Sequence, residues 1–281
     1  VKLEICSLQP ELRATLILSS ITTAHAWLVI ILLLHLSRPP KQNLLDSIKQ
    51  INHNNMDSKE EKYYDAWWKE GDQDMEDEHI PHWSRVLGFI PENDLSQKTV
   101  LDFGCNQGGF LRLLHEQRGF EKGFGVDIAK KSIEIANNRV GNLPIKYILT
   151  DDPTSLNTQF DFAISLAVIY LLPDMDKHVA QMKQCLKSGG VYYATFVDYT
   201  GNPSLPAIKK TINENASVPM QDHTLDSISR AFFKGGFKVA VRRIAPVGFV
   251  ELSENNIWHE KVEYYLQYAY EQAHIFRFTA P

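Results

Sequence analysis

From Lys98 onward the chain switches repeatedly between short apolar runs and stretches of helical spacing. TVLDFG (99–104) reads as a buried strand closed by glycine, and Phe110, Leu111, Leu113 and Leu114 then follow at helical intervals. GFGVDI (123–128) predicts a second strand, with Ile133, Ile135 and Ala136 marking the next helix. IKYILT (145–150) predicts a third, and FDFAISLAVIYLL (160–172) begins as a fourth, the most apolar of the chain. Val179, Met182, Cys185 and Leu186 form a helix stripe stopped by Gly189-Gly190, after which VYYATFV (191–197) is a fifth strand. A helix around Leu225–Phe233 then leads to a strand at Phe237–Ile244. A second apolar run, Val247–Leu252, follows so closely that an antiparallel hairpin at the sheet edge is expected. Trp258–Phe278 carries aromatics at mixed helical spacing and reads as a C-terminal helix, packed on the domain or lining a substrate pocket.

Strands alternating with helices imply βαβ units and a doubly wound, mostly parallel sheet covered by helices on both faces. The core sheet is placed at 96–252, with an N-terminal helical lid at 56–95 and the C-terminal helix at 253–281. In the lid, Tyr63, Tyr64, Trp67 and Trp68 are read onto one amphipathic helix, either folding over a ligand or packing on the sheet.

Residues 1–55 differ in kind. Thr15–Leu36 has no formal charge over 22 residues, long enough to span ~30 Å of hydrocarbon. Against a membrane anchor stand Ser19, Ser20, Thr22, Thr23 and His25 in its first half. The chain also starts at Val1, whereas Met56 opens a polar, helix-prone stretch. The expectation is a cytoplasmic protein whose functional part begins near Met56; the competing reading is a single-pass anchor that keeps the domain in the cytoplasm.

Composition narrows the partners. The whole chain carries a net charge of −5, and residues 56–281 keep 24 basic against 31 acidic side chains, net −7. Nucleic acid is bound mainly through phosphate neutralisation, so it is not the expected partner. Cys6, Cys105 and Cys185 fit neither a disulfide framework nor a zinc site. No metal is expected: the acids of Glu70–Glu78 read as a solvated face.

Ligands of such sheets sit beyond the carboxyl ends of the strands, where strand order reverses. After the first strand comes Asp102-Phe103-Gly104-Cys105-Asn106-Gln107-Gly108. Gly104 and Gly108 permit a tight turn and close approach of a ligand, and Asn106 tolerates a left-handed backbone. Such a loop is also a packing device, but Asp102 sharpens it. A carboxylate there repels a pyrophosphate and suits an ammonium or sulfonium group. Asp127, ending the second strand, is placed to accept both hydroxyls of a ribose, or is simply an exposed strand-end acid. Asp151 or Asp152 meets an adenine amino group or caps a helix ahead of Pro153; Asp151 is favoured as the ligand contact.

VLDFGCNQGG, GVDI, TDD, FDFAISLAVIYLLPD and LKSGGVYYATF, in that order, resemble the successive motifs of class I S-adenosylmethionine-dependent methyltransferases. The resemblance covers about residues 96–200, with edge-strand agreement to about 252, and LAVIYLLPD is similar to the small-molecule, ubiquinone-biosynthesis-like branch. It implies a seven-stranded Rossmann-like sheet with an antiparallel edge hairpin and S-adenosylmethionine as cofactor. It also implies cofactor contacts at Asp102, Gly104, Cys105, Asn106, Gly108, Asp127, Ile128, Asp151 and Leu166. Asn106 departs from the glycine usual in the family, which affects only the local turn. The expected reaction is methyl transfer to an O, N or C nucleophile of a small molecule. A nicotinamide-dependent oxidoreductase and a non-catalytic cofactor-binding protein are the alternatives. Tyr170, Asp198, Tyr199 and His82 are candidate catalytic groups, as general bases for a hydroxyl acceptor or as pocket lining.

Overall fold

The computed structural model describes residues 63–69, 76–252 and 258–281. Seven strands form one sheet: β1 (Thr99–Phe103), β2 (Lys122–Asp127), β3 (Ile145–Leu149), β4 (Phe160–Ser165), β5 (Leu186–Val197), β6 (Lys238–Arg243) and β7 (Ala273–Thr279). Their order is β3-β2-β1-β4-β5-β7-β6. The first five are parallel neighbours, and β7 runs antiparallel to both β5 and β6.

Helices cover both faces because the strands alternate two apolar sets. Val100, Phe162, Ile164 and Tyr193 face one core with α1 (Glu76–Gly88), α2 (Gly109–Arg118) and α3 (Lys130–Arg139), which contribute Leu87, Leu114 and Ile133. Leu101, Phe103, Ala163 and Tyr192 face the other, covered by Met182 of α4 (Met175–Cys185) and Phe232 of α6 (Leu225–Lys234). A third cluster lies around α5 (Leu205–Asn215), where Ile208 and Ile212 meet Trp67, Trp68, Tyr170, Leu171, Tyr199 and Trp258. Strand order reverses between β1 and β4, so the binding crevice expected of such a sheet opens at their carboxyl ends.

Two expectations are corrected. The seventh strand is not Val247–Leu252 but Ala273–Thr279, inside the expected C-terminal helix; among the described residues of that stretch, α7 (Val262–Gln267) and a π-helical turn, Tyr268–Gln272, are the helix. Val247 and Phe249 instead stand fully exposed. The difference lies in packing: Ile275, Phe276 and Phe278 bury on β7 between β5 and β6. Second, Tyr63–Trp68 is extended rather than helical, because its backbone pairs with the protein on both sides. Tyr64 bridges to Ala129 and Trp68 to Ala216. Among the described residues of the 56–95 region the helix is α1, which starts at Glu76. Among the described residues no helix is long and apolar enough to cross a membrane; Thr15–Leu36 lies outside them.

Candidate active site

Hydrogen bonds order the crevice from the β1 end. The N–H groups of Gly104 and Cys105 both donate to the Val126 carbonyl, at 2.8 and 3.0 Å, folding the loop back over β2. Gly104, Asn106 and Gly108 all take left-handed conformations, with φ of 79°, 44° and 76°. Asn106 thus holds the turn in place of the family's glycine. At Gly108 a side chain would run into the Tyr147 ring, and at Gly104 into Val168, so both glycines are required for space as well as for φ.

Asp102 is 2% exposed, and its Oδ2 is buried without a hydrogen-bond partner among the described residues. Burial, and then the charge of Asp127, push its carboxyl up to about 8. A cation arriving beside it offsets that shift, because an opposite charge stabilises the carboxylate form. Asp127 accepts from the Asn106 N–H at 2.8 Å and the Ala129 N–H at 2.9 Å, which fixes the carboxylate at the β2 end. Ile128, next along, accepts the Tyr64 N–H at 3.2 Å, and Tyr64 in turn accepts the Lys130 N–H at 2.7 Å. The extended segment therefore straps down beside Asp127.

At the β3 end the two acids separate. Asp152 caps the short 3-10 turn Pro153–Leu156, accepting from the Thr154 N–H at 3.0 Å and its hydroxyl at 2.7 Å. Asp151 is half-buried and pairs with Lys177 at 3.3 Å. At the β4 end Leu166 packs on the first core, and Cys105 is buried with its thiol pushed well up by desolvation, which leaves it inert as a nucleophile.

The candidate catalytic groups fall into two places. Tyr170, on the 3-10 turn Ile169–Leu171 after β4, and Tyr199, just beyond β5, join one aromatic cluster with Trp67, Trp68 and Trp258. Tyr199 stacks on Tyr268 at 6.0 Å. Burial raises both the Tyr170 and the Tyr199 phenol, so each is a neutral donor and wall at pH 7. Asp198 is tied to backbone, its two oxygens accepting from Thr200 and Leu225 at 3.0 and 2.9 Å. His82 lies elsewhere, on α1, whose ties run to α2 through Glu76–Arg112 and Trp83–Phe110. Burial, followed by the charge of Arg85, lowers its imidazole to about 4.

Sequence reading missed several residues. Gln107 is gripped by Arg112 through its carbonyl at 3.1 Å and by Arg139 through its side chain at 3.2 Å. Both arginines also bind Glu76, tying α1 to the loop. Aromatic spacing alone puts Trp258 and Tyr268 either on the domain surface or at a pocket, without saying which residues they meet. Ala167 and Thr195, at the β4 and β5 ends, carry no signal in sequence at all.

With the geometry in place, comparison assigns the class. The family described as methyltransferase domain matches residues 75–280. The chain belongs to it, within the class I S-adenosylmethionine-dependent methyltransferases, and the oxidoreductase alternative falls. Over 105 residues it is 32% identical to the malonyl-[acyl-carrier protein] O-methyltransferase of Anoxybacillus flavithermus, covering 37% of this chain and 40% of that one. Over 134 residues it is 30% identical to the tRNA U34 carboxymethyltransferase of Campylobacter jejuni, covering 45% and 46%. The matches thus span less than half the length of these curated relatives. A chain of the complex between the Haloferax volcanii Trm112 methyltransferase activator and a methyltransferase superposes with a TM-score of 0.63 at 22% identity, over 74% of this chain and 92% of that one. Solved methyltransferases of the same fold, at 20% and 14% identity, hold S-adenosyl-L-methionine or S-adenosyl-L-homocysteine. The cofactor is S-adenosylmethionine, and the buried Asp102 Oδ2, without a hydrogen-bond partner among the described residues and beside the glycine cradle, fits its cationic end. A methyl acceptor follows from the class. The named relatives include one for tRNA, so the expectation of no nucleic-acid partner gains no support from them.

Proposed function

We propose that this protein transfers a methyl group from S-adenosylmethionine to a small molecule with an apolar or aromatic portion, through an O, N or C nucleophile. One observation carries the reading: the aromatic cluster of Trp67, Trp68, Tyr170, Tyr199 and Trp258, with Ile208 and Ile212, sits at the β4 and β5 ends beside the cofactor crevice. When bound, the cofactor supplies a methyl group already activated on sulfur. What the chain must add is alignment, which is worth on the order of 7–11 kcal/mol in favourable cases. Asp127 would hold the ribose hydroxyls, Asp102 the ammonium, and Asp151 the adenine edge. Tyr170 and Tyr199 would flank the acceptor and keep water from it. The net charge of −5 also favours a small molecule over tRNA. We further propose that the protein works in the cytoplasm.

The test incubates the full chain and methyl-labelled cofactor with a metabolite extract and, separately, with total tRNA. A small molecule gaining one methyl is expected. Label entering only tRNA overturns the small-molecule reading. Cofactor binding with no turnover on any acceptor favours the non-catalytic alternative.

A further inference from the structure

Between β4 and the 3-10 turn that carries Tyr170, the chain makes a kink that alanine rarely makes. Ala167 has φ of 55°, the left-handed region, without the glycine or asparagine that normally occupies it. Its N–H donates to the Thr195 hydroxyl of β5 at 2.8 Å. Thr195 is itself buried. The kink has two consequences on its far side. Val168 is thrown against Gly104, where its methyl groups occupy the space a Cβ would need. The Val168 carbonyl then accepts the Leu171 N–H at 2.8 Å, which starts the turn that delivers Tyr170 to the aromatic cluster. One strained residue therefore sets the distance between the cofactor loop and the acceptor wall, and one hydroxyl holds it there.

We infer that Thr195 is a positioning residue of the methyl-transfer site, acting through the Ala167 kink. The inference rests on the cofactor reading above. Its bond to Ala167 keeps Val168 on Gly104 and Tyr170 beside Tyr199, so that both halves of the crevice keep their register. Without the hydroxyl, Ala167 relaxes toward ordinary backbone angles and Val168 leaves the floor of the cofactor loop. Glycine at 167 needs no such support, because the left-handed conformation carries no Cβ cost there.

The test measures S-adenosylhomocysteine affinity by calorimetry, with the thermal midpoint, on the full chain and four variants. Thr195→Val is expected to weaken binding about tenfold, the weight of one hydrogen bond. Thr195→Ser, which keeps the hydroxyl, should stay within about twofold, and the double variant Thr195→Val/Ala167→Gly should recover most of the loss. A purely packing role would produce neither rescue. Unchanged affinity in Thr195→Val, or a loss that neither serine nor glycine relieves, overturns the inference. If Thr195→Val does not fold, Ala167→Val decides. It leaves Thr195 in place and puts a β-branched residue in the kink, and unchanged affinity there also overturns the inference. Failure of the unmodified protein to bind S-adenosylhomocysteine would instead defeat the cofactor reading.

Discussion

The Tyr147 hydroxyl donates to the Gly108 carbonyl at 2.7 Å while its ring fills the space where a Cβ on Gly108 would lie. The third strand thus seals the loop after β1 from behind. A Gly108→Ala protein carries two costs, the left-handed φ and an overlap with an aromatic ring, together about 2–4 kcal/mol. Urea midpoints should fall accordingly, and S-adenosylhomocysteine binding should be lost. Tyr147→Phe removes only the hydrogen bond, about 1 kcal/mol, and should keep binding within a few-fold.

Asp102 makes a pH prediction whose sign is set by its raised carboxyl. In the folded protein it titrates at about 8, against 3.8 as the ordinary value, so between those limits the folded state holds the extra proton. Its contribution to stability is therefore lost as pH rises from about 4 to about 8. Asp102→Asn should resist urea better than the parent at pH 9, yet bind S-adenosylmethionine more weakly. Because the cationic ligand draws the carboxylate form, binding at pH 7 should release a proton. Calorimetry in two buffers of different ionisation enthalpy reads that directly, and equal heats in both would contradict it.

His178 works in the opposite direction. It is 2% exposed, wedged among Phe103, Tyr192 and Phe232, with Nε2 against the Tyr192 hydroxyl at 3.0 Å. Burial lowers it from 6.5 to about 3, so below pH 6.5 the unfolded chain takes the proton first and stability falls with pH until about 3. Replacing it by methionine should shrink the gap between urea midpoints measured at pH 7 and pH 4.

Which elements were readable from sequence follows from how each is buried. β1 to β5 are flanked by neighbours or helices on both faces, so they appear as apolar runs, and all but β4 are closed by Asp or Gly. β7 is as buried, but His274 and Arg277 interrupt its run. Each has a local partner that makes burial tolerable: Nδ1 of His274 lies 2.7 Å from the Gln272 carbonyl, and Arg277 donates to Tyr193 at 2.8 Å and Glu92 at 3.2 Å. Those partners are invisible in sequence, and Tyr264–Tyr270 just upstream carried helical spacing into the strand. The Asp-ended loops of the crevice were legible because loop chemistry is local. The aromatic cap was not, since its extended segment is held by Ala129 and Ala216, 65 and 148 residues from Tyr64 and Trp68.

Residues 56–281 should suffice for folding and cofactor binding. Among the described residues, all seven strands and every buried side chain of the three clusters fall between Val86 and Ala280. Expressed beside the full chain, the shorter form should show the same thermal midpoint and the same S-adenosylhomocysteine affinity, and remain in the soluble fraction. An insoluble short form beside an active, membrane-bound long one would reverse the proposal of a cytoplasmic protein.

The aromatic wall makes the last prediction, which concerns the reaction rather than the fold. Tyr170 and Tyr199 are held as neutral phenols by burial, and Asp198 has both oxygens engaged by backbone N–H groups. Neither phenol is set up to accept a proton at pH 7, so the two tyrosines should act by shape. On an acceptor found by the extract screen, Tyr170→Phe/Tyr199→Phe should therefore lower kcat/KM by less than about tenfold, the cost of one or two neutral hydrogen bonds. Trp68→Ala or Tyr199→Ala, which remove a wall, should raise KM for the acceptor by far more than they lower kcat. Their cofactor affinity should be unchanged, because Trp68 and Tyr199 belong to the cluster around α5 and not to the β1 loop. A loss of a thousandfold or more in kcat for the double phenylalanine variant, with KM unmoved, would show that one phenol handles a proton and that the wall is chemical as well as steric.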